Sequence, residues 1–325
     1  MKLRIATFNV ENLDDKEGAR PSLDERIPFL RRQLQRMDAD IICFQEVHGQ
    51  EHPGQPRSLT ALKNVLEGTN YSNFHVVSTQ TTNNEVYDER NLVIVSRFEV
   101  LKTEQYSQDL FDDPPLYNVV TEKPADPEPK RITWERPIFY SKIKIKDGFE
   151  IHLINLHLKS RLASNVKGQK VDNYTWKSSP GWAEGYFISS MKRVGQALET
   201  RIFIDELFDE DAQAKIVVCG DFNAHPDEVP VETIAGRVEN TGNEKLALRA
   251  LVSCEHSIPE SARFSYLHFG QKRLLDHMLI SQSLLPFYNK SEIHNEMLHD
   301  ESLAFAFDTK FPESDHAPFI AEFEV

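Results

Sequence analysis

Eight polar side chains lie at or just past the ends of apolar runs, where the strands of a sheet could bring them to one pocket. They are Asn9, Glu46, His157, Asp221, Asn223, Asp276, Asp315 and His316. The segment VVCGDFNAHP, residues 217–226, shows the pattern most clearly, because an apolar run leads into an acid, an amide and a histidine. An interior strand gains nothing from an acid and an amide on the same side unless they have a partner to bind.

These side chains suit a hard divalent cation. Carboxylate and amide oxygens favour Mg²⁺ or Mn²⁺, which proteins bind through carboxylates, water and substrate phosphate. Zinc is disfavoured, because the sequence contains no pair of closely spaced cysteines. Taken singly, the residues also fit structural roles: Asn223 as a turn former, Asp221 as a cap and His157 as a core histidine. The complete set favours a functional site over eight separate structural roles.

Asp276 stands between apolar neighbours in the segment LLDHMLI, so its carboxylate needs a partner. A histidine is the partner we expect, because a carboxylate holds an imidazole in one tautomer and makes it more basic. Asp315 and His316 directly precede the last apolar run and place an imidazole beside an acid.

Short apolar runs that alternate with helical patterns must position these residues. Enrichment in β-branched and aromatic residues, with frequent alternation, predicts strands. The predicted strands are LRIATFNV, ADIICFQEV, NLVIVSRFEV, FYSKIKI, FEIHLINLHL, KIVVCGDFN, LLDHMLIS and APFIAEFEV. Helical spacing predicts one helix through Ile27, Leu30, Leu34 and Met37 and a second from Phe187 to Phe208.

The two halves of the chain share one plan of strand, helix and strand, in which each strand ends in polar residues. The first unit runs from LRIATFNVEN to IICFQEV and the second from IHLINLHLKS to VVCGDFNAH. This plan predicts an α/β fold with two packed sheets, flanking helices and a site at the strand ends. No linker separates the halves, so we expect residues 1–325 to form one domain, with the Pro-rich, acidic stretch 104–130 as a surface insertion.

Composition restricts the class of protein. The 325 residues are 40% apolar, enough for a large core, and they contain no low-complexity tract. The formal charge of −14 argues against a protein that coats nucleic acid through bulk charge, although metal-neutralised acids and a local basic patch remain compatible with phosphate substrates.

Location is predicted from the same features. The chain shows neither the apolar core of a signal peptide nor a stretch with the length of a membrane span. Cys43, Cys219 and Cys254 are too scattered for a disulfide framework, so we expect a cytoplasmic protein. No protein partner can be inferred from the sequence.

Eight short motifs stand in one order along nearly the whole chain. They are FNVENL, FQEV, ERNLVIVSR, WERPI, LINLHLKS, GDFNAHPDE, RLLDHMLIS and SDHAP. In this order they resemble the motifs of the endonuclease/exonuclease/phosphatase superfamily, the group of pancreatic deoxyribonuclease and the exonuclease III-like repair enzymes. The resemblance implies a four-layer α-β-β-α sandwich, with two packed mixed β-sheets flanked by helices.

The resemblance also implies roles for the residues near the metal. Asn9, Glu46 and Asp315 would form the metal site, with Glu46 as the direct ligand. Asp221 and Asn223 would position the attacking water and the scissile phosphate.

Further roles concern the substrate phosphate. His316, oriented by Asp276, would contact the phosphate as acid, base or charge stabiliser. His157, held by Glu89, would be a second imidazole that faces it. Arg136 would contact a phosphate of the substrate.

The implied activity is hydrolysis of phosphodiesters with Mg²⁺ or Mn²⁺, by a nuclease that cleaves DNA or RNA as its nucleic acid substrate. Two alternatives stay open. One is a phosphodiesterase or phosphatase for a small-molecule or lipid-headgroup phosphate ester. The other is a binding protein that has lost catalysis, which is disfavoured because every expected polar residue is in place.

The segment 159–185 directly follows His157, so it must begin at the rim of the pocket. It carries a formal charge of +4 up to Ser179, and its aromatic residues are Tyr174, Trp176 and Trp182. Cations can bind a nucleic acid backbone, and flat rings can stack on unpaired bases. We therefore expect Lys159 and Trp176 to bind substrate; the alternative is a solvated loop whose tryptophans pack on the next helix.

Overall fold

The computed structural model describes residues 1–111, 113–239, 241–303 and 310–325. The strands are β1 (Lys2–Leu13), β2 (Ile41–Val47), β3 (Gln50–His52), β4 (Gln55–Ser58), β5 (His75–Ser78), β6 (Asn91–Ser96), β7 (Glu99–Tyr106), β8 (Leu116–Tyr117), β9 (Lys130–Arg131), β10 (Ile138–Lys146), β11 (Phe149–His157), β12 (Ile216–Asp221), β13 (Leu251–Ser253), β14 (Tyr266–His268), β15 (Gln271–Arg273), β16 (Asp276–Ser281), β17 (Tyr288–Ile293) and β18 (Phe319–Glu324). The helices are α1 (Leu23–Met37), α2 (Thr60–Leu66), α3 (Ser179–Glu210) and α4 (Val229–Ala235).

Two six-stranded mixed sheets form the centre of the molecule. The first has the order β17-β18-β1-β2-β6-β5, and the second has the order β13-β16-β12-β11-β10-β7. In each sheet one parallel pair is joined by a helix, because β1 and β2 flank α1 and β11 and β12 flank α3. The predicted repeat of strand, helix and strand is thus present in the structure, one copy in each sheet.

Three apolar clusters define four layers. One cluster lies between the sheets and includes Ile5 and Cys43 from the first sheet with Leu153 and Val217 from the second. A second cluster packs the helices α1 and α2 on the outer face of the first sheet, and a third packs α3 and α4 on the outer face of the second. This is the α-β-β-α sandwich that the sequence predicts. All three cysteines are buried as free thiols between these layers.

The predicted strand NLVIVSRFEV is divided in the structure. Its first part is β6 of the first sheet and its second part is β7 of the second sheet. The hydroxyl of Ser96 accepts the backbone N–H of Phe98 at 3.0 Å and donates to the carbonyl oxygen of Phe98 at 2.9 Å. Both bonds are local to the bend at which the chain crosses from one sheet to the other.

Helix α3 begins earlier than the apolar spacing predicts. Ser178 caps it by accepting the backbone N–H of Gly181 at 3.1 Å, and Pro180 occupies the first turn, where its missing N–H costs nothing. Trp182 therefore belongs to a helix and not to the loop in which the sequence analysis placed it. No helix within the described parts of the chain combines the length and the apolar character that a membrane span requires.

The parallel pairs place four polar residues at the same edge of the sandwich. Asn9 and Glu46 lie near the ends of β1 and β2, and His157 and Asp221 are the last residues of β11 and β12. Asp276 is the first residue of the antiparallel strand β16, where it pairs with Asp221. Strand β18 runs antiparallel to β1, so the segment before β18 reaches this edge as well.

Gly220 allows β11 and β12 to approach closely just before their polar ends. Its φ is +142°, and a Cβ atom at this position would lie 1.9 Å from the carbonyl oxygen of Leu156. Only glycine meets both demands, since the backbone conformation and the close approach each exclude a side chain.

We expect Gly220→Ala to lower the free energy of unfolding by about 3 kcal/mol or more, because it adds a backbone clash to conformational strain. Gly148→Ala is the matched control: it has a φ of +74° but no atom within 4 Å of the added Cβ. It should lose only about 1–2 kcal/mol. Urea unfolding followed by circular dichroism measures both values, and equal losses would contradict the role given to the close approach.

Candidate active site

The carboxylate of Asp221 lies at the centre of the cluster of polar strand ends. Its Oδ2 accepts the side-chain N–H groups of Asn9 at 3.2 Å and of Asn223 at 3.1 Å, and it lies 3.4 Å from Nε2 of His157. Its Oδ1 accepts the backbone N–H of Asn223 at 2.9 Å. Burial raises the pKa of Asp221 to about 6, although the nearby His316 opposes this shift. The carboxyl can therefore exchange a proton near neutral pH.

His316 and Asp276 form a buried pair. Nδ1 of His316 lies 2.7 Å from Oδ2 of Asp276, and Nε2 of the same ring points towards Oδ2 of Asp221 at 3.9 Å. Burial lowers the pKa of His316, but the carboxylates of Asp276 and Asp221 outweigh it and raise this pKa well above its ordinary value. The imidazole is therefore held as a cation whose free N–H faces the centre of the site, where it can stabilise negative charge.

Two buried serines hold the segments that carry this pair. Ser265 Oγ accepts the backbone N–H groups of Leu275 and Asp276, each at 3.1 Å, and so fixes the start of β16. Ser314 Oγ donates to the carbonyl oxygen of Asn9 at 2.7 Å and accepts the backbone N–H of His316 at 3.1 Å. The hydroxyl of Ser314 thus connects the first strand of the fold to the segment before the last.

Glu46 occupies an unusual backbone position at the end of β2. Its φ is +63°, a conformation that costs free energy for a residue with a side chain. Oε2 of Glu46 accepts the backbone N–H of Asn12 at 3.0 Å, and Oε1 lies 3.4 Å from Nδ2 of Asn9 and 3.5 Å from Nε2 of His157. The side chain of Glu46 remains 16% exposed and that of Asp221 only 2%, so Glu46 is the more accessible of the two carboxylates.

Asp315 belongs to a group of crowded acids. Its backbone N–H donates to Oε2 of Glu11 at 3.1 Å. Burial and the carboxylates of Glu11 and Glu46 raise the pKa of Asp315 well above its ordinary range, although His316 opposes the shift. Burial also raises the pKa of Glu11, and the guanidinium of Arg26 only partly compensates. Full ionisation of this group is therefore disfavoured unless a further positive charge is present.

His157 is buried and neutral. Burial and the nearby cations Arg136 and His316 lower its pKa well below the ordinary value. Its Nδ1 has no hydrogen-bond partner among the described residues. The predicted support by Glu89 is wrong, because Glu89 lies exposed on the surface and makes no hydrogen bond to His157 within the described chain.

The three residues that the sequence suggested for substrate binding differ in their positions. Nε and Nη2 of Arg136 donate to the carbonyl oxygens of His157 at 2.8 Å and of Leu158 at 2.9 Å, so these two donors support the backbone. Lys159 lies 3.7 Å from Glu135 on the rim. Trp176 packs against a small apolar cluster, with Nζ of Lys170 4.7 Å from its ring centroid.

The residues present fit a hard divalent cation. Glu11, Glu46 and Asp315 offer carboxylate oxygens in a region of excess negative charge, which a cation would relieve. A second group, Asp221, Asp276 and His316, has ligand atoms within 4.8 Å of one another. In that group the raised pKa of His316 favours the protonated ring, which has no lone pair to offer a metal, so the carboxylates of the first group are the better ligands.

Two histidines have a spacing that zinc sites use, and the sequence analysis overlooked them when it disfavoured zinc. His48 and His52 form a His-x-x-x-His pair. Nε2 of His48 lies 3.3 Å from Oδ1 of Asn12, and Nε2 of His52 lies 3.2 Å from Oγ1 of Thr60. Neither belongs to a group of metal-binding type among the described residues, so a hard cation remains the better fit.

Other participants were missed by the sequence analysis. Glu11 stands inside the motif FNVENL and could have been found from its position two residues after Asn9. Ser314 directly precedes Asp315 and could have been found in the same way. Ser265 carries no local signal, because it reaches Asp276 from a segment that is 11 residues distant.

Comparison with known protein families matches nearly the whole chain. The model of the Endonuclease/Exonuclease/phosphatase family matches residues 6–316. A sequence comparison with curated proteins gives no match.

Similar solved structures cover nearly the whole chain. TDP2 from Caenorhabditis elegans has a TM-score of 0.57 and 15% identity, over 100% of this chain and 75% of that one. A mannosyl-6-phosphatase from Bacteroides thetaiotaomicron has a TM-score of 0.59 and 16% identity, over 99% of this chain and 100% of that one. The 3'-5' exonuclease of Neisseria meningitidis has a TM-score of 0.53 and 17% identity, over 99% of this chain and 100% of that one. At these identities the likeness shows the fold.

The pair of Asp276 and His316 can be tested by titration. We expect Asp276→Asn to lower the pKa of His316, because it removes the carboxylate that does most to raise it. NMR titration of the His316 ring in metal-free protein measures the shift. Asp227→Asn, which removes an exposed acid, should leave the pKa unchanged; an unaltered pKa in Asp276→Asn as well would disprove the pairing.

Proposed function

We propose that this chain, which belongs to the endonuclease/exonuclease/phosphatase family, is a divalent-metal-dependent phosphodiesterase that cleaves DNA or RNA. Members of this family hydrolyse phosphoesters. The observation that carries the proposal is the convergence of Asp276, His316 and Asp221: an imidazolium held 2.7 Å from one carboxylate faces another whose pKa is about 6. The positively charged imidazole of His316 and the carboxylate of Asp221, which accepts a proton, therefore face the same small volume of the site.

The proposed reaction is attack by water on the phosphorus atom. Asp221 accepts the proton of the water, and the two N–H groups that Asn223 donates hold this carboxylate in place. The bond from phosphorus to the leaving oxygen breaks, and solvent supplies the proton that this oxygen requires. His316 stabilises the added negative charge on the phosphate through its Nε2–H, and Asp276 keeps the ring charged and oriented.

We assign the metal to the exposed side of the site, with Glu46 as direct ligand, Asp315 beside it and Asn9 as support. Glu46 is accessible, and Asp315 carries a raised pKa that a nearby cation would lower. Bound there, Mg²⁺ or Mn²⁺ supplies positive charge to the phosphate oxygens. His157 is neutral and can donate from Nε2 towards the same oxygens or to Glu46.

Two observations bear on the substrate. The exonuclease of Neisseria meningitidis and TDP2 are among the similar structures, and a groove lined by basic residues adjoins the site through Lys159. We therefore propose Lys159 as a substrate contact, with Arg136 holding the backbone behind His157 and Trp176 forming part of the groove wall. A small phosphate ester is the second candidate, since a mannosyl-6-phosphatase is similar over the whole chain and the net charge is −14.

Metal dependence is tested by Glu46→Gln. We expect this variant to fold normally and to bind Mn²⁺ about 10-fold more weakly or worse, because it loses a charged ligand. Isothermal titration calorimetry measures the affinity, and Glu244→Gln, at the start of an exposed 3-10 helix, is the control. Wild-type affinity in Glu46→Gln would overturn the assignment, and full hydrolytic activity in excess chelator would overturn metal dependence itself.

The substrate is tested by a panel that contains plasmid DNA, single-stranded DNA, RNA, a chromogenic phosphodiester and mannose 6-phosphate. Each is incubated with Mg²⁺ or Mn²⁺ and, separately, with chelator. We expect metal-dependent cleavage of a polynucleotide with a higher kcat/KM than that of the sugar phosphate. The reverse order would reject the nuclease and favour the small phosphate ester, and His316→Ala should abolish whichever activity is present.

A further inference from the structure

A large cleft adjoins the candidate active site on the side of Lys159. It has a volume of about 760 Å³, within the range of about 300–1,000 Å³ that is common for ligand sites. The loop that follows His157, the segment before β10 and the first turns of α3 form its walls. Its charged lining residues are Arg90, Glu122, Lys130, Arg131, Glu135, Lys159, Lys167, Lys170 and Lys192.

The cleft is basic although the protein is acidic. Seven of the charged lining residues are cations and two are carboxylates, whereas the whole chain has a net charge of −14. Clustering of this kind creates a local positive potential that attracts anions.

Most of these cations are not neutralised by the protein. Glu122 pairs with Lys130, and Glu135 is shared by Lys192 at 3.3 Å and Lys159 at 3.7 Å. No ion pair joins Arg90, Arg131 or Lys167 to a carboxylate in the described parts of the chain. Their charges are therefore free to bind an external anion.

The loop at the mouth of the cleft is fixed in shape. Lys170 and Trp176 form an antiparallel bridge, and the backbone N–H of Val171 donates to the carbonyl oxygen of Thr175 at 2.9 Å. Oδ1 of Asp172 accepts the backbone N–H groups of Tyr174 and Thr175, each at 2.8 Å. We call residues 170–176 the tip hairpin. It holds the ring of Tyr174 in solvent, where this residue is 88% exposed.

The base of the tip hairpin is anchored to its surroundings. Gly168 packs so closely on the preceding segment that an added Cβ would lie 2.2 Å from the carbonyl oxygen of Lys123. The backbone N–H of Lys123 donates to the carbonyl oxygen of Lys167 at 2.9 Å. Glu184 of α3 accepts N–H groups from Val120 at 2.5 Å and Thr121 at 2.7 Å. A loop that is ordered in advance loses little entropy when it binds a ligand.

We infer that the cleft binds a single-stranded polynucleotide, with backbone phosphates on Arg131 and Lys167 and an unpaired base stacked on Tyr174. This inference rests on the proposed function, because it supplies the flanking part of the substrate whose phosphate is cleaved at His316. Cations spaced along a groove together with an exposed ring are the combination that binds single strands independently of sequence.

Two features favour a polynucleotide over a small phosphate ester. The cations belong to separate parts of the lining, so one phosphate group cannot contact them all. Tyr174 also offers a flat apolar face, for which a sugar phosphate has no aromatic partner. A single-stranded polynucleotide carries both the repeated charge and the bases that these groups would contact.

Binding of a fluorescently labelled single-stranded oligonucleotide, measured by anisotropy in chelator so that no cleavage occurs, tests the phosphate contacts. The double variant Arg131→Gln, Lys167→Gln should bind about 20-fold more weakly at 0.1 M salt, and its slope of log K against log salt should fall by about 1.4. The double variant Arg32→Gln, Lys63→Gln removes the same charge from α1 and α2, in the layer on the other sheet, and should bind as the wild type does.

The ring is tested separately. Tyr174→Ala should weaken binding about fivefold or more, because it removes one stacked base, whereas Tyr174→Phe should remain within about twofold of the wild type. Tyr174 is exposed, so neither substitution endangers folding. Duplex DNA of the same length, which has no unpaired base, should respond to the charge variant but not to Tyr174→Ala. Equal effects of Tyr174→Ala and Tyr174→Phe would overturn the stacking contact.

The outcomes separate this inference from the proposed function. Oligonucleotide binding that is insensitive to both cleft variants would overturn the inference even if metal-dependent cleavage is found. Competition provides a second control: mannose 6-phosphate at the same phosphate concentration should not displace the oligonucleotide, and displacement would assign the cleft to small phosphate esters. If no substrate is hydrolysed but the cleft variants weaken binding as stated, the proposed function fails and the binding site stands.

Discussion

The structure depends on the burial of one carboxylate where two sheets meet. Asp221 is 2% exposed, yet it remains surrounded by polar atoms because Asn9, Asn223, His157 and His316 all direct N–H groups towards it. A buried acid without such partners would be strongly destabilising. Three of these partners come from other segments, namely β1, β11 and the segment before β18, so the position of Asp221 requires that both sheets are in register. The site and the sandwich are therefore one cooperative unit.

The repeated unit of strand, helix and strand explains why the polar ends meet. Parallel strands in each sheet end at the same edge, and the two sheets stack so that β1 and β12 are adjacent. The residues at this edge divide into two groups with different surroundings. The pair Asp276 and His316 is enclosed and charge-compensated, whereas the carboxylates around Glu46 are accessible and under-compensated. The enclosed pair therefore provides a fixed positive charge, whereas the carboxylates around Glu46 are suited to an exchangeable metal ion.

Patterns within short segments were sufficient to predict the inner strands of both sheets, the layers and the convergence of eight polar residues, because alternation and burial are local consequences of sequence. The edge strands β5, β13 and β17 were not predicted. Contacts that depend on backbone geometry were not predictable in this way. No local sequence pattern indicates that Glu46 has a positive φ. None indicates that two N–H groups of Arg136 donate to backbone carbonyl oxygens. The start of α3 was missed because apolar side chains do not mark the buried face of its first turns. Trp182 is half exposed, whereas Gly181 and Gly185 face the protein. The basic cleft was predicted only in part, because Arg90 and Arg131 come from segments outside the segment 159–185.

Ser314 joins the segment before the last strand to Asn9 of the first strand across 305 residues, and strand β18 lies between β1 and β17. The first sheet therefore has a gap until the last strand arrives, and the imidazole of His316 arrives with it. Contacts of such large sequence separation form late and slowly in folding. A nascent chain that has been synthesised past Asp221 contains Asn9, Glu46, His157 and Asp221. It still lacks both β18 and the imidazole of His316. Assembly of the site is thus coupled to closure of the sheet, and a nascent chain remains without its complete set of reactive groups until that closure.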